Sequence, residues 1–236
     1  MTRQKRKHLL RSVAIAVAVI VVITVGAAAI SYSGGTSQKP QTSTSESTLS
    51  VGDTFTYKLS GSTVLGSSDV IAPAEFMQYN DTDYYQVTVT AIEGSQVNLE
   101  TTWQFKNGTQ LTSPQVIDLS TGATAELAEF SYLYPSNLNV TDKIYPNETG
   151  NLAVNTTSTQ KFADSTRTIN SWSTEDQYMN TADQTGNTMR YDYITVNFDK
   201  QSGMLVSLTR IEFFTNPEIQ LTITWQLTDT NVWAVK

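Results

Sequence analysis

The chain has 236 residues, a formal net charge of −7 and no cysteine, which excludes disulfides, thiolate catalysis and lipidation at a cysteine. Its single histidine, His8, lies in a basic run at the start of the sequence. The rest of the chain therefore lacks the groups that Ser-His-Asp and Cys-His catalysis and zinc, copper and haem sites need. No P-loop or dinucleotide-binding glycine pattern occurs, so the sequence predicts no cofactor.

The first predicted element is a membrane anchor. Residues 13–30 read VAIAVAVIVVITVGAAAI and carry no charge. As a helix they cover about 27 Å, close to the roughly 30 Å of a bilayer's hydrocarbon core. Residues 1–12 are basic, so by the positive-inside rule they form a cytoplasmic tail, with residues 31–236 outside the cell membrane. The alternative is a signal peptide cleaved near Ala29, which gives a secreted protein.

The chain changes character twice after the anchor. Residues 31–50 are rich in Ser and Thr with almost nothing to bury, which predicts a flexible stalk. Residues 51–236 hold nine Lys and Arg against 21 Asp and Glu. A surface of that sign repels phosphate, so we expect this extracytoplasmic domain not to bind nucleic acid.

Strands dominate from residue 54 onward, where apolar and polar residues alternate with period two. Residues 96–105 place four apolar side chains on one face, namely Val97, Leu99, Trp103 and Phe105. Residues 218–227 do the same with Ile219, Leu221, Ile223, Trp225 and Leu227. This pattern is typical of an antiparallel sheet with one buried and one wet face.

Turn residues connect these strands. Gly94 and Gly108 each end a two-residue turn signal between alternating runs, and DKQSG at 199–203 joins two further strands. We therefore expect one meander over residues 84–118 and a three-strand meander in the C-terminal third.

Helices are expected to be short. Residues 73–78 (PAEFMQ) and 124–130 (TAELAEF) hold a turn or two each. The predicted fold is therefore mainly β, a curved antiparallel sheet or half-open barrel with one or two short helices. The alternative is a two-sheet β-sandwich.

Residues 191–213, YDYITVNFDKQSGMLVSLTRIEF, resemble the strand–Asp-x-x-x-Gly–strand unit of the LolA/LppX-type lipoprotein-carrier fold. The resemblance implies a curved sheet that wraps around short helices and holds lipid or acyl chains. In layout, the basic start, single anchor, stalk and Thr/Asn-rich β domain are similar to those of uncharacterised archaeal single-pass envelope proteins.

A short motif occurs twice. Residues 49–57 read LSVGDTFTY, and LNVTDKIYP begins at residue 138. The surrounding halves do not align, so we interpret the motif as a shared strand entry rather than a domain repeat. We expect its Leu and Val to pack and its Asp to form the turn.

One metal site and one catalytic pair are conceivable from the sequence. Asn80, Asp81 and Asp83 form a weak calcium candidate, although the ligand spacing of calcium loops is absent and an Asx-capped turn is the favoured reading. Candidates for a glycosidase-like carboxylate pair are Glu100, Asp192 and Glu212. Solvated strand faces explain these acids more simply, so we expect no enzyme.

Five Asn-x-Thr triplets are glycosylation candidates, because topology places them outside the cell. They lie at Asn80, Asn107, Asn139, Asn147 and Asn155. Aromatic residues are dense between residues 130 and 145 and are read as core, with a ligand-lined cleft as the alternative.

The expected function is therefore that of a membrane-anchored, outward-facing, non-catalytic binding domain. Its partners are the bilayer, through residues 13–30, and either an apolar ligand or another surface component. The alternative is a glycosylated structural or adhesion subunit of the cell surface, and a carboxylate hydrolase is a third hypothesis. The sequence does not define the oligomeric state.

Overall fold

The computed structural model describes residues 49–68, 78–122, 132–147, 152–180, 188–215 and 218–235. The predicted anchor at 13–30, nearly all of the stalk and the predicted helix at 124–130 lie outside the described residues. Of the predicted helix at 73–78, only Gln78 is described. Among the residues described, no helix has the length and apolar character needed to cross a membrane.

The described chain forms one nine-stranded antiparallel sheet and one short helix. The elements are β1 (Thr54–Leu65), α1 (Gln78–Asp81), β2 (Thr82–Glu93), β3 (Gln96–Phe105), β4 (Gln110–Asp118), β5 (Thr156–Lys161), β6 (Thr166–Asn180), β7 (Thr188–Asp199), β8 (Leu205–Thr215) and β9 (Glu218–Thr230). Their order across the sheet is β4-β3-β2-β1-β9-β8-β7-β6-β5.

This topology confirms the mainly β, antiparallel fold and both predicted meanders. The sandwich alternative is wrong for the described residues, because β1 pairs with β2 on one side and with β9 on the other. The two meanders are thereby joined into a single sheet. That sheet is open, with β4 and β5 at its edges.

The predicted alternation is confirmed in β3 and β9. The apolar residues of β9 are all buried, namely Ile219, Leu221, Ile223, Trp225 and Leu227. In β3, Val97 and Leu99 are buried, while Trp103 and Phe105 are half-buried and stack with their ring centroids 4.9 Å apart. The core therefore lies on the face of the sheet that these side chains share.

The predicted turns are also confirmed. Gly94, Gly108 and Gly203 adopt φ values of 64°, 86° and 76°, in the left-handed region that glycine adopts without strain. A Cβ atom at Gly203 would in addition collide with the backbone carbonyl of Tyr134. The β7–β8 turn therefore needs glycine both for its conformation and for the close approach of a neighbouring segment.

That neighbouring segment is the long connection between β4 and β5, which lies on the core face. Its described part contributes several buried side chains to the core, namely Tyr132, Leu133, Tyr134, Ile144, Tyr145 and Val154. It is fixed to the start of β8, because Leu205 N donates to the carbonyl of Tyr132 and Tyr134 N donates to that of Gly203, both at 2.9 Å. The sequence-predicted aromatic core is thus supplied largely by a non-strand segment.

The repeated motif forms the same turn in both copies. The Asp53 carboxylate accepts a hydrogen bond from Ser50 N at 2.8 Å, and the Asp142 carboxylate accepts one from Asn139 N at 2.7 Å. The residue before each Asp has positive φ, 93° at the glycine of the first copy and 76° at Thr141 in the second. The predicted turn-forming role of Asp is therefore confirmed.

The predicted packing of the motif is only half right. Leu49 is buried, but Val51 and Val140 are 62% and 45% exposed. Both valines immediately precede the residue with positive φ, and the turn directs them into solvent. Each turn instead pairs through its backbone with a valine from elsewhere in the chain, Val89 in the first copy and Val154 in the second.

A buried ion pair holds the β7–β8 turn and the C-terminal segment together. Arg167 donates two hydrogen bonds to the fully buried carboxylate of Asp199, at 2.7 and 2.8 Å. The same carboxylate accepts bonds from the backbone and hydroxyl of Ser202. The guanidinium also lies 4.2 Å from the ring centroid of Trp233, a cation–π contact.

Replacing Asp199 by Asn tests this pair. Asp199→Asn leaves Arg167 without its buried counter-ion, so the free energy of unfolding should fall by roughly 3 kcal/mol in chemical denaturation. Glu93→Gln removes an exposed carboxylate at the end of β2 and should change it by less than about 0.5 kcal/mol. Equal stability of the two variants would show that the Asp199 pair does not hold the turn.

Three buried tyrosines make the fold sensitive to alkali. Burial raises the pKa of Tyr57, Tyr132 and Tyr134 well above 10.0, because it disfavours the charged phenolate. In the unfolded chain these groups lose their protons near pH 10.0. Their contribution to stability is therefore complete below that pH and is lost as the pH rises above it.

Denaturation followed at a series of alkaline pH values should thus show a declining free energy of unfolding above about pH 10. Tyr57→Phe should make the decline shallower, because one of the three groups no longer ionises on unfolding. Unchanged stability through this pH range would contradict the assigned burial.

Candidate functional site

The sheet splits where β1 leaves β2. β1 pairs with β2 only from Thr54↔Thr88 to Tyr57↔Tyr85, but with β9 as far as Leu65↔Ile219. Beyond Tyr57, the residues of β1 therefore have β9 on one side and no paired β2 residue on the other. The continued register places Asp83 opposite Leu59, yet these two residues are not paired.

The split has a local cause in the chain that leads into β2. The four residues before β2 form the helical turn α1, Gln78–Asp81, so they cannot continue as a strand beside β1. The pairing of β2 with β3 is also irregular between Thr82 and Tyr84, and such bulges bend a strand. Both features turn the start of β2 away from β1.

Asn80 replaces the missing strand partner at one position. Its side-chain Oδ1 accepts a hydrogen bond from Gly61 N, and its Nδ2 donates one to Gly61 O, both at 2.9 Å. The carboxamide thus satisfies the two backbone groups that a paired residue of β2 would have satisfied. It joins α1 to β1 across the split.

Among the described residues, none replaces the missing strand partner at the backbone N–H of Leu59. It lies two residues before Gly61, and the register of β1 with β9 is regular between them. Backbone groups of alternate residues in an antiparallel pair point to the same side. The N–H of Leu59 therefore points into the split, between the position filled by Tyr85 and the position filled by Asn80.

A cavity of about 520 Å³ occupies the split, and we call it the β1–β2 cleft. Its lining residues are Tyr57, Lys58, Leu59, Ser60, Asn80, Thr82, Asp83, Tyr84, Lys106 and Thr228. Lys58 and Lys106 are exposed, and Lys106 Nζ donates to the carbonyl of Asn80 at 2.6 Å. Among its described lining residues, the cleft thus has two cations and one acid, in a domain where acids outnumber bases by more than two to one.

The calcium candidates lie at the edge of this cleft. Asn80 uses its side chain on Gly61 and its carbonyl on the Lys106 ammonium, while the carbonyl of Asp81 accepts from Lys106 N at 2.8 Å. No cluster of three or more metal-binding side chains occurs among the described residues. The side chain and the carbonyl of Asn80 are thus both engaged within the protein, and the geometry adds no support to the calcium hypothesis.

Two of the three carboxylate candidates share one arginine. Asp192 and Glu212 are cross-strand neighbours, and Arg210 contacts Asp192 at 2.6 and 3.0 Å and Glu212 at 3.1 Å. Glu100 is exposed on β3, on the face opposite Leu99. Sequence reasoning missed Arg210, because only the strand register brings it beside both acids.

The glycosylation candidates differ in accessibility. Asn80 is half-buried and bonded to Gly61, whereas the other four are exposed, namely Asn107, Asn139, Asn147 and Asn155. Asn107 lies at the tip of the β3–β4 hairpin, as predicted, with its Oδ1 accepting from Thr109 N at 2.9 Å. Whether these residues carry glycans stays a prediction.

Aromatic rings fill part of the core face instead of lining an empty groove. The Tyr85 ring lies 4.7 Å from that of Trp225 and 5.6 Å from that of Tyr132, and the last two lie 5.4 Å apart. Tyr85 Oη and Tyr132 Oη are hydrogen-bonded at 3.0 Å. In the described residues this cluster is packed core, as the simpler reading of the sequence expected.

The β1–β2 cleft was not identified from the sequence. Lys58 occupies an outward position of an alternating strand, which is where any solvated lysine is expected. The available signal was the Asn80 turn directly before β2, but its partner Gly61 lies 19 residues earlier. Without the sheet order, nothing connects the two residues.

No family model, no curated protein and no solved structure matches this chain. The resemblance of residues 191–213 to the LolA/LppX-type fold therefore stays a hypothesis, and so does the similarity of layout to archaeal envelope proteins.

Asn80→Ala tests the side-chain bridge across the split. The substitution removes two hydrogen bonds and leaves the backbone of Gly61 unpaired, so the free energy of unfolding should fall by about 1–3 kcal/mol. Asn107→Ala is the matched control, because it also removes an Asn-x-Thr triplet but lies at an exposed hairpin tip. Both variants are made without glycosylation, and chemical denaturation should show a larger loss of stability for Asn80→Ala than for Asn107→Ala. Equal effects would indicate that Asn80 does not close the sheet.

Proposed function

We propose that this chain is a membrane-anchored, outward-facing binding domain that recognises another surface component through the β1–β2 cleft. The observation that carries the proposal is the cleft itself: an interruption of the sheet lined by Leu59, whose backbone N–H points into it, and by two lysines. A polar, partly enclosed cavity of about 520 Å³ falls within the usual size of ligand sites.

The charge distribution supports an anionic ligand group. Residues 51–236 are strongly acidic, so the domain as a whole repels anions. Lys58 and Lys106 oppose this field locally, and Asp83 is the one acid among the described residues that line the cleft. An anionic group is therefore attracted to the cleft in preference to the surface around it.

The proposed topology places the cleft outside the membrane, where it can contact another surface component. In this proposal, a helix at residues 13–30 anchors the chain in the bilayer, and residues 31–48 act as a stalk between it and the β domain, which begins at the buried Leu49. Within that domain we take the sheet to be curved, since the rings of Tyr85 and Trp225 meet at 4.7 Å although β1 lies between their strands.

The polar cleft favours a surface component over an apolar ligand. The aromatic residues that such a ligand would contact are packed against one another on the core face, and Tyr57 Oη donates to the carbonyl of Leu205 within that core at 2.9 Å. A non-catalytic role is favoured by Arg210, which binds both Asp192 and Glu212.

A structural or adhesion subunit is the second candidate. β4 and β5 are the edges of the sheet, and β5 (Thr156–Lys161) consists of Thr, Ser, Gln and Lys side chains that are mostly exposed. Such edges can pair with strands of another molecule. Exposed triplets such as Asn155, directly before β5, fit a glycosylated surface subunit.

Reversal of one cleft charge tests the first candidate. Full-length Lys58→Glu protein in nanodiscs should bind cell envelopes of its producing organism roughly tenfold more weakly than the wild type, a loss of about 1.4 kcal/mol. The measurement is a sedimentation assay over a range of envelope concentrations.

Lys161→Glu is the matched control, since it changes an exposed strand lysine by the same charge at the β5 edge. It should leave binding unchanged. If both variants weaken binding equally, the loss comes from the change in overall charge and not from the cleft. If only Lys161→Glu weakens binding, the β5 edge is the binding surface and the proposal of the cleft is wrong.

A further inference from the structure

We infer that the β1–β2 cleft takes the C-terminal carboxylate of a polypeptide in extended conformation. This inference rests on the proposed binding function and names the chemical group recognised by the same site. Its basis is the combination of one backbone donor, two ammonium groups and a gap in the strand pairing that is closed at both ends.

The donors select a carboxylate. The Leu59 N–H points into the cleft, and an oxygen acceptor is the partner that a backbone N–H requires. Lys58 and Lys106 line the same cavity, and charge-assisted bonds from ammonium groups favour an acceptor that is ionised. A carboxylate provides two oxygens, one for the backbone and one for a lysine.

The length of the gap favours the end of a peptide chain over a continuous strand. Tyr57 is paired with Tyr85, and Gly61 is bonded to Asn80, so both neighbouring positions along β1 are filled. Tyr57 and Gly61 lie about 14 Å apart along an extended strand, and Tyr85 and Asn80 occupy the partner positions at the two ends of that distance. A continuous strand cannot pass through, whereas the last residue of a peptide fits between them.

The remaining acid fits the rest of such a ligand. Asp83 is exposed and lines the cleft, and in the continued register it lies opposite Leu59. A peptide whose carboxylate meets the lysines still presents its own backbone N–H, and the Asp83 carboxylate is an acceptor for it. An inorganic anion or an acidic sugar lacks that peptide donor, so the cleft should prefer the peptide.

The test is a titration of isotope-labelled full-length protein in nanodiscs, followed by the amide NMR signal of Leu59. The probes are N-acetyl-alanyl-alanine with a free carboxylate, the same dipeptide with a C-terminal amide, and glucuronate. We expect a saturable shift of the Leu59 signal with the free acid and at least tenfold weaker binding of the amide and of glucuronate. Lys58→Glu should abolish the shift, and Lys161→Glu should retain it.

The outcomes are distinguishable from those of the envelope assay. Equal binding of the acid and amide dipeptides, or no saturable shift at millimolar concentration, overturns the inference even if Lys58→Glu still weakens envelope binding. Tighter binding of glucuronate than of the dipeptide acid would mean that the cleft takes an acidic sugar and not a peptide end, which also overturns the inference. If envelope binding does not depend on Lys58, the proposed function fails whatever the dipeptides do.

Discussion

The architecture depends on the unequal pairing of β1. In the described sheet, β1 is the only strand that pairs with both the β2–β4 part and the β5–β9 part. It pairs with β9 along its length but with β2 over four residue pairs. An unpaired backbone group in a protein interior costs free energy. The carboxamide of Asn80 pairs with the backbone of Gly61, and the β1–β2 cleft lies where no described residue pairs with the N–H of Leu59.

In the proposed function, the packed core and the β1–β2 cleft have different roles. On the core face, rings from the β4–β5 connection pack against the sheet, and Arg210 forms salt bridges with Asp192 and Glu212. The side chains of this face therefore contribute to the stability of the fold. At the interruption of β1, by contrast, the backbone of Leu59, two lysines and a cavity occur together. Binding through an interruption of a rigid sheet requires little reorganisation, since the neighbouring positions at Tyr57 and Gly61 are already fixed.

Local features of the fold were predictable from the sequence, and long-range ones were not. The faces of β3 and β9 follow from period-two alternation, and the turn at Gly203 follows from its residue type, because both are set by neighbours along the chain. The position of β1 between β2 and β9 depends on pairing partners such as Ser60 and Thr224, which lie 164 residues apart. Val51 was placed wrongly because the positive φ of the next residue, and not apolarity, decides where it points.

Native-state hydrogen exchange at single-residue resolution tests the central claim most directly. If the sheet is interrupted at the cleft, the amide of Leu59 exchanges much faster than that of Gly61, although the Leu59 residue is only 3% exposed. Gly61 is protected by its bond to Asn80, and the difference should disappear in Asn80→Ala protein as Gly61 becomes fast. Equal, strong protection of both amides in the wild type would mean that β1 and β2 pair without a gap, and it would contradict the account.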